Sequence, residues 1–271
     1  MPIGTQDPRF YPANIGPRTS TGAKYYGMEA RAGKILDLYF LNREDTFTLV
    51  APAPTVSGYD IEVDATHTIG VGDWIELYED DVYLQAQALG VAGDTITLDT
   101  PIPFAFTVAG ALGINGVRNA AVDADPTPMI FEVAPPAGQV WDVTKTSLFI
   151  EGATAAMTHS LFGDIAAIAN GIVFRVKRSA AKYEILHNIK ANVDLMIDTD
   201  ATAVSAAMTA ATFGLFSFKT FGNEGASGAM LRLDGDLGEK LELVVQDDID
   251  ALTYVHAKAH GYFLYENDRS L

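Results

Sequence analysis

A few groups of residues in this chain have the types and spacing that chemistry needs. Asp234-Gly235-Asp236-Leu237-Gly238-Glu239 sets alternating acids around a tight glycine turn. Calcium takes roughly six to eight oxygens, and Asp234, Asp236 and Glu239 would supply several of them. An EF-hand loop counted from Asp234 would need glycine at its sixth place and glutamate at its twelfth; those places hold Glu239 and Val245, so that motif is absent. A hairpin loop of turn-tolerant residues is the competing reading, and no metal or cofactor is assigned. His256, Lys258 and His260 fall on one strand face by the two-residue period. Two imidazoles can share a metal, but the interleaved lysine opposes a cation, so a solvent- or subunit-facing strand surface is the simpler reading. His67, His159 and His187 stand alone.

The acidic groups Glu79/Asp80/Asp81, Asp123/Asp125 and Asp247/Asp248/Asp250 raise the question of a glycosidase, which needs two carboxylates roughly 5–9.5 Å apart. Nothing in the sequence sets that spacing, and acid-rich turns suit a chain of net charge −17. No Gly-x-Ser-x-Gly elbow, phosphate-binding loop, dinucleotide fingerprint or His-Glu-x-x-His is present. The absence of cysteine excludes a thiol nucleophile, thiolate metal sites and a disulfide scaffold. A non-enzymatic protein is expected. Arg175, Lys177 and Arg178 read as an exposed strand face or as an acceptor for another subunit's acids. Trp74 and Trp141 sit inside strand patterns and read as core anchors.

The elements that carry these residues are strands. Residues 34–57 give one or two strands and a stiff Ala51-Pro52-Ala53-Pro54 connector. Residues 58–116 alternate over Tyr59–Val63, Trp74–Tyr78, Val82–Val91 and Thr95–Asp99, with turn chemistry at Gly70–Asp73 and Ala92–Asp94. Short strands at that spacing predict a small antiparallel barrel-like module or curled meander. Residues 117–271 add strands over 129–134, 140–151, 171–178, 183–198, 213–221, 229–233, 240–247 and 253–265, the pattern of a jelly-roll-like β-sandwich. Ile185, His187, Ile189, Ala191, Val193 and Leu195 would share one face of the 183–198 strand. Residues 199–212 fit either a short helix or an irregular loop. The fold class expected is all-β.

Charge divides the chain unequally. Residues 1–34 hold five basic and two acidic groups, a net +3, whereas the rest hold 13 basic and 33 acidic, a net −20. Four of the 12 prolines fall within the first 17 residues. Proline fixes φ and removes a ladder donor, so residues 1–33 predict an extended arm. Its aromatic residues are unusual for a solvated tail, and Arg9, Phe10, Tyr11, Arg18, Tyr25 and Tyr26 are expected to clasp the acidic body of a neighbouring subunit. The acidic body argues against direct nucleic-acid binding. The chain has no 18-residue apolar run and its start lacks a signal-peptide pattern, so no membrane span is expected.

Val71–Phe106 (VGDWIELYEDDVYLQAQALGVAGDTITLDTPIPFAF) resembles a module in structural proteins of tailed bacteriophages, as do Phe131–Gly138 and Arg232–Leu252. The resemblance implies a virion component folded in the host bacterial cytoplasm. It would form a homo-oligomer, a trimer or higher ring, with other virion proteins as further partners. Tail, neck or baseplate is the first expected position; capsid decoration or a head fibre is the second. A receptor- or glycan-binding module is the rival from another class. Removing residues 2–26 should reduce the assembly size seen by light scattering; an unchanged assembly would contradict the clasp.

Overall fold

The computed structural model describes residues 35–79, 82–152, 154, 165, 168–179, 182–189, 213–219 and 231–263. The arm expected over 1–33, with Arg9, Phe10, Tyr11, Arg18, Tyr25 and Tyr26, lies outside the described residues, as does the 199–212 segment. Among the described residues every regular element is a strand: β1 (Ile35–Tyr39), β2 (Asn42–Thr48), β3 (Asp60–Glu62), β4 (Trp74–Glu79), β5 (Val82–Ala92), β6 (Thr95–Leu98), β7 (Leu112–Val117) and β8 (Met129–Val133) come first. Then follow β9 (Val140–Gly152), β10 (Ile172–Ser179), β11 (Lys182–Ile189), β12 (Phe213–Lys219), β13 (Leu231–Asp234), β14 (Lys240–Val245) and β15 (Leu252–Phe263). They form three antiparallel sheets, and among the described residues no helix is long and apolar enough to cross a membrane.

Two sheets, ordered β1-β15-β9-β12 and β11-β10-β14-β8, share one apolar core. Inward-facing Leu36, Trp141, Leu148, Phe174, Leu243 and Val255 are all fully buried in it, as period-2 alternation requires of a sheet with one face on the core. β12 and β13 lie along the same side of β9, one pairing with residues 145–151 and the other with 140–143. The third sheet, ordered β2-β7-β4-β5-β6-β3, has its own core around Phe47, Ile61, Leu77, Ile96 and Phe106. Its strands are consecutive in the chain and lie wholly between β1 and β8, so it is an excursion from the two-sheet body.

That third sheet differs from a sequential meander. Only β4, β5 and β6 follow in order; β7 enters between β2 and β4, and β3 lies outside β6. β7 (LGINGV) is poor in strand-forming residues because packing forbids side chains there. A Cβ on Gly113 would meet the Phe47 ring at 2.2 Å, and one on Gly116 the Asn42 carbonyl at 2.2 Å. Of the expected barrel-like module the structure gives a six-stranded antiparallel sheet with no continuous ladder closing it. Its edges touch at the single bridge Leu49–Val63, flanked by Val50 N–H to Glu62 O (2.9 Å) and Asp64 N–H to Thr48 O (3.0 Å), and no closed barrel forms.

Two of the bulges redirect alternation in the body. Opposite Gly261, β9 carries an extra residue, Thr144, whose hydroxyl donates to the His260 carbonyl at 3.1 Å. A Cβ on Gly261 would lie 1.9 Å from the Asp142 carbonyl, so only glycine lets the strands approach there. The extra residue swaps parity: Trp141 and Val143 point inward before it, Thr146, Leu148 and Ile150 after it. A second bulge lies between Phe174 and Arg175, opposite Ile185 and His187. It breaks the expected common face of β11, leaving Ile185 68% exposed and Ile189 buried; Ala191, Val193 and Leu195 lie outside the described residues.

The third sheet is fixed to the body by buried charge. Arg43 of β2 places Nη2 2.8 Å from Glu76 Oε2 on β4 and Nη1 3.1 Å from Glu132 Oε1 on β8. Glu76 is 1% exposed, and Glu132 also pairs with Lys240 of β14. Burial by itself would lower the Arg43 pKa; Glu76, Tyr83 and Glu132 outweigh it and hold the guanidinium charged. Gln85 adds a backbone-like pair, accepting from Tyr39 N–H (2.7 Å) and donating to Tyr39 O (3.0 Å). Tyr83 of β5 reaches into the body core beside Trp141, ring centroids 5.2 Å apart. Replacing Arg43 by Met should cost about 3–5 kcal/mol in urea denaturation, because Glu76 is left charged and buried without a counter-ion. The Arg43→Met/Glu76→Leu double variant should recover most of that loss, and a single-variant loss below about 1 kcal/mol would contradict the role.

Candidate functional site

The parity swap in β9 builds a polar grid on the outer face of the body. After the bulge Lys145, Ser147 and Phe149 point outward, and β15 sets His260, Lys258 and His256 directly opposite them. Asp37 and Tyr39 of β1 lie beside His260 and Lys258; Leu215 and Ser217 of β12 lie beside Phe149 and Ser147. A cavity of ≈ 260 Å³ opens between β15, β9 and β12, lined by these eight β9, β12 and β15 residues.

Hydrogen bonds order the grid. His260 Nδ1 lies 3.1 Å from Asp37 Oδ1, and His260 Nε2 lies 2.8 Å from Ser147 Oγ. A carboxylate only accepts, so Nδ1 carries the ring proton and Nε2 accepts from the serine hydroxyl. Lys258 Nζ binds the other Asp37 oxygen at 3.2 Å and sits 4.3 Å from the Tyr39 ring centroid. The order Asp–His–Ser is that of an acyl-transfer triad. Such a reaction also needs donors aimed at a developing oxyanion. Ser147 is on a central strand, paired with β15 on one side and β12 on the other, which commits the backbone N–H groups around it to the ladders. The geometry fixes the tautomer and position of His260.

His256 is packed among rings: Phe149 stacks on it at 5.0 Å, with Tyr254 at 5.0 Å and Tyr39 at 5.3 Å edge-on. Its Nδ1 is buried without a hydrogen-bond partner. Arg118 lies over Tyr39 (4.4 Å), Trp74 (4.5 Å) and Tyr254 (5.2 Å), adding positive charge beneath the same face. Burial, then Arg118, then Lys258 lower the His256 pKa to about 4. Burial also lowers that of His260, with Asp37 opposing and Lys145 and Lys258 reinforcing the shift. Both imidazoles are thus neutral at pH 7, and the fixed positive charge comes from Lys145 and Lys258. Such a site can hold an oxyanion.

The calcium candidates go elsewhere. Asp234 ends β13 and Asp236 lies in the β13–β14 turn; Asp234 Oδ1 accepts from Asp236 N–H (2.9 Å) and Asp236 Oδ1 from Gly138 N–H (2.7 Å). Glu239 Oε2 accepts from Asp234 N–H (3.0 Å) and from Arg178 Nη1 (3.3 Å). Among the described residues no group of three His, Asp or Glu side chains is placed to hold a metal ion. Arg175 and Arg178 use their charge within the protomer, on Glu242 (2.7 Å) and on Glu184 and Glu239, rather than presenting it to another subunit. Asp247 is a loop clamp, accepting from the backbone N–H groups of Ala169, Asn170 and Gly171. Trp141 is fully buried with Nε1 on Gln139 (2.9 Å), and Trp74 is 7% exposed, as core anchors should be. The alignment of His256, Lys258 and His260 is as the two-residue period gives it. Asp37, Lys145 and Ser147 escaped sequence reading because they meet the histidines only through cross-strand register.

No protein-family model matches the chain, and no curated protein sequence is similar to it.

The depressed His256 pKa sets a pH dependence. Unfolded, this histidine takes up its proton near pH 6.5; folded, only near pH 4, so the unfolded chain holds more protons between those values. Its contribution to stability is present above pH 6.5 and is lost as pH falls toward 4. His256→Phe should flatten the fall in urea midpoint across that window relative to the unaltered chain. Parallel pH profiles would contradict the assignment.

Proposed function

We propose that this chain is a non-enzymatic structural component of a tailed-phage virion, built through contacts between copies of itself. The pairing order of the body supports the expected jelly-roll reading. Taking β12 and β13 as one interrupted strand, the orders β1-β15-β9-β12/β13 and β8-β14-β10-β11 are those of two interleaved Greek keys. The third sheet is then an insertion between the first and second jelly-roll strands.

The observation that carries self-association is at the sheet edges. β1, β12 and β11 are edge strands of the body, and each bears an exposed large apolar side chain: Ile35 (59%), Leu215 (67%) and Ile185 (68%); the β8 edge is instead bridged to Leu41 of the same protomer. Natural proteins blunt or cover such edges, since unpaired strands with apolar faces recruit other chains. In this reading they are covered by neighbouring copies in a homo-oligomer, a trimer or higher ring. The arm carrying Arg9, Phe10, Tyr11, Arg18, Tyr25 and Tyr26 lies on an adjacent acidic body, and other virion proteins complete the contacts. Tail, neck or baseplate is the favoured position, with capsid decoration or a head fibre next. The protein folds in the host cytoplasm and ends in the virion.

Size-exclusion chromatography with light scattering should give one discrete oligomer of the full chain. A monomer at every accessible concentration would overturn the proposal.

A further inference from the structure

We infer that the cavity between β15, β9 and β12 is a carboxylate socket for a second copy of this chain, and that it receives the acidic turn of Asp123, Asp248 and Asp250. The inference rests on the proposed assembly and names one of its contacts. The protein carries a net −17, yet every titratable residue lining the cavity is basic: Lys145, His256, Lys258 and His260. Asp37, at the margin, has one oxygen on His260 and the other on Lys258. Lys145 forms no ion pair among the described residues, so its ammonium is the charge left to be neutralised.

The volume of ≈ 260 Å³ lies below the roughly 300–1,000 Å³ of clefts that enclose organic ligands, and suits carboxylate side chains instead. Phe149 and Leu215 form its apolar wall. A carboxylate entering beside them loses water, and its attraction to Lys145 and Lys258 strengthens as the local dielectric falls. His256 and His260, both neutral, bring no charge of their own to the contact.

The matching feature is on the same molecule. Asp123 and Asp248 face each other in an isolated bridge outside the strands, and Asp250 N–H closes onto Asp248 Oδ1 at 3.1 Å. These carboxylates crowd one another: Asp248 first, then Asp123, raise the Asp250 pKa. None of the three forms an ion pair among the described residues. Among the described residues an acidic cluster without a counter-ion and one ammonium without a counter-ion, that of Lys145, therefore remain within the protomer, and both are relieved when one copy meets the next. Two different patches make the contact heterologous, and a heterologous contact closes into a ring when its rotation permits.

Sedimentation velocity on the full chain tests this, with Lys145→Glu, Asp250→Lys and the chain carrying both changes. Each single reversal should weaken association about tenfold or more, and the double variant should regain it, as coupled charge pairs across interfaces do. Raising salt from about 0.05 to 0.5 M should also dissociate the unaltered chain, since the contact is electrostatic. Lys145→Gln serves as the milder variant, and melting curves by circular dichroism confirm that each variant is folded. A folded Lys145→Glu chain that assembles like the unaltered one, or a double variant that regains nothing, would overturn the socket while leaving the assembly function standing. An unaltered chain that never assembles would remove both.

Discussion

The arrangement depends on one buried ion pair, Arg43 with Glu76. A carboxylate 1% exposed is costly to hold in a protein interior, and it is tolerated because a guanidinium reaches it at 2.8 Å while also binding Glu132. Those three residues belong to β2, β4 and β8: two strands of the excursion and the strand at which the chain re-enters the body. Glu132 passes the charge onward to Lys240, and so into the middle of the second body sheet. Hydrogen bonds and ion pairs are directional, as an apolar contact is not. The charged fork and the Gln85–Tyr39 pair supply such directional contacts between the third sheet and the body.

The second constraint is the bulge at Thr144. It lets one long strand, β9, serve two masters: its first half buries Trp141 and Val143, and its second half buries Leu148 and Ile150. Between them the outward positions pass to Lys145, Ser147 and Phe149, which is what creates a cavity at all. Gly261 is the condition for the bulge, since any side chain there would strike the Asp142 carbonyl. A backbone irregularity of one residue thus decides whether the basic residues of β9 and β15 share a face.

Much of the fold was legible in the sequence because strand alternation is a local signal. Trp74–Tyr78, Val82–Val91, Val140–Glu151 and Lys240–Asp247 read as strands and are strands, with ends shifted by a residue or two. β7 was not legible, because its glycines answer to the Phe47 ring and the Asn42 backbone, neighbours distant in the chain. The 34–57 segment reads as one unit, yet β1 joins the body and β2 the excursion; no local property separates Leu38 from Phe47. Of the cavity, the three β15 residues were visible by period, whereas Asp37 and Ser147 were not. Their meeting with His260 depends on register, which the chain sets only when the sheets form.

Copies of this acidic protein are proposed to join head to tail. Electron microscopy of the purified full-length protein tests this most directly. The account predicts closed rings of one rotational symmetry, with the Lys145 face of each copy against the 248–250 turn of the next. Isolated protomers, or two-fold dimers joined through identical faces, would contradict it.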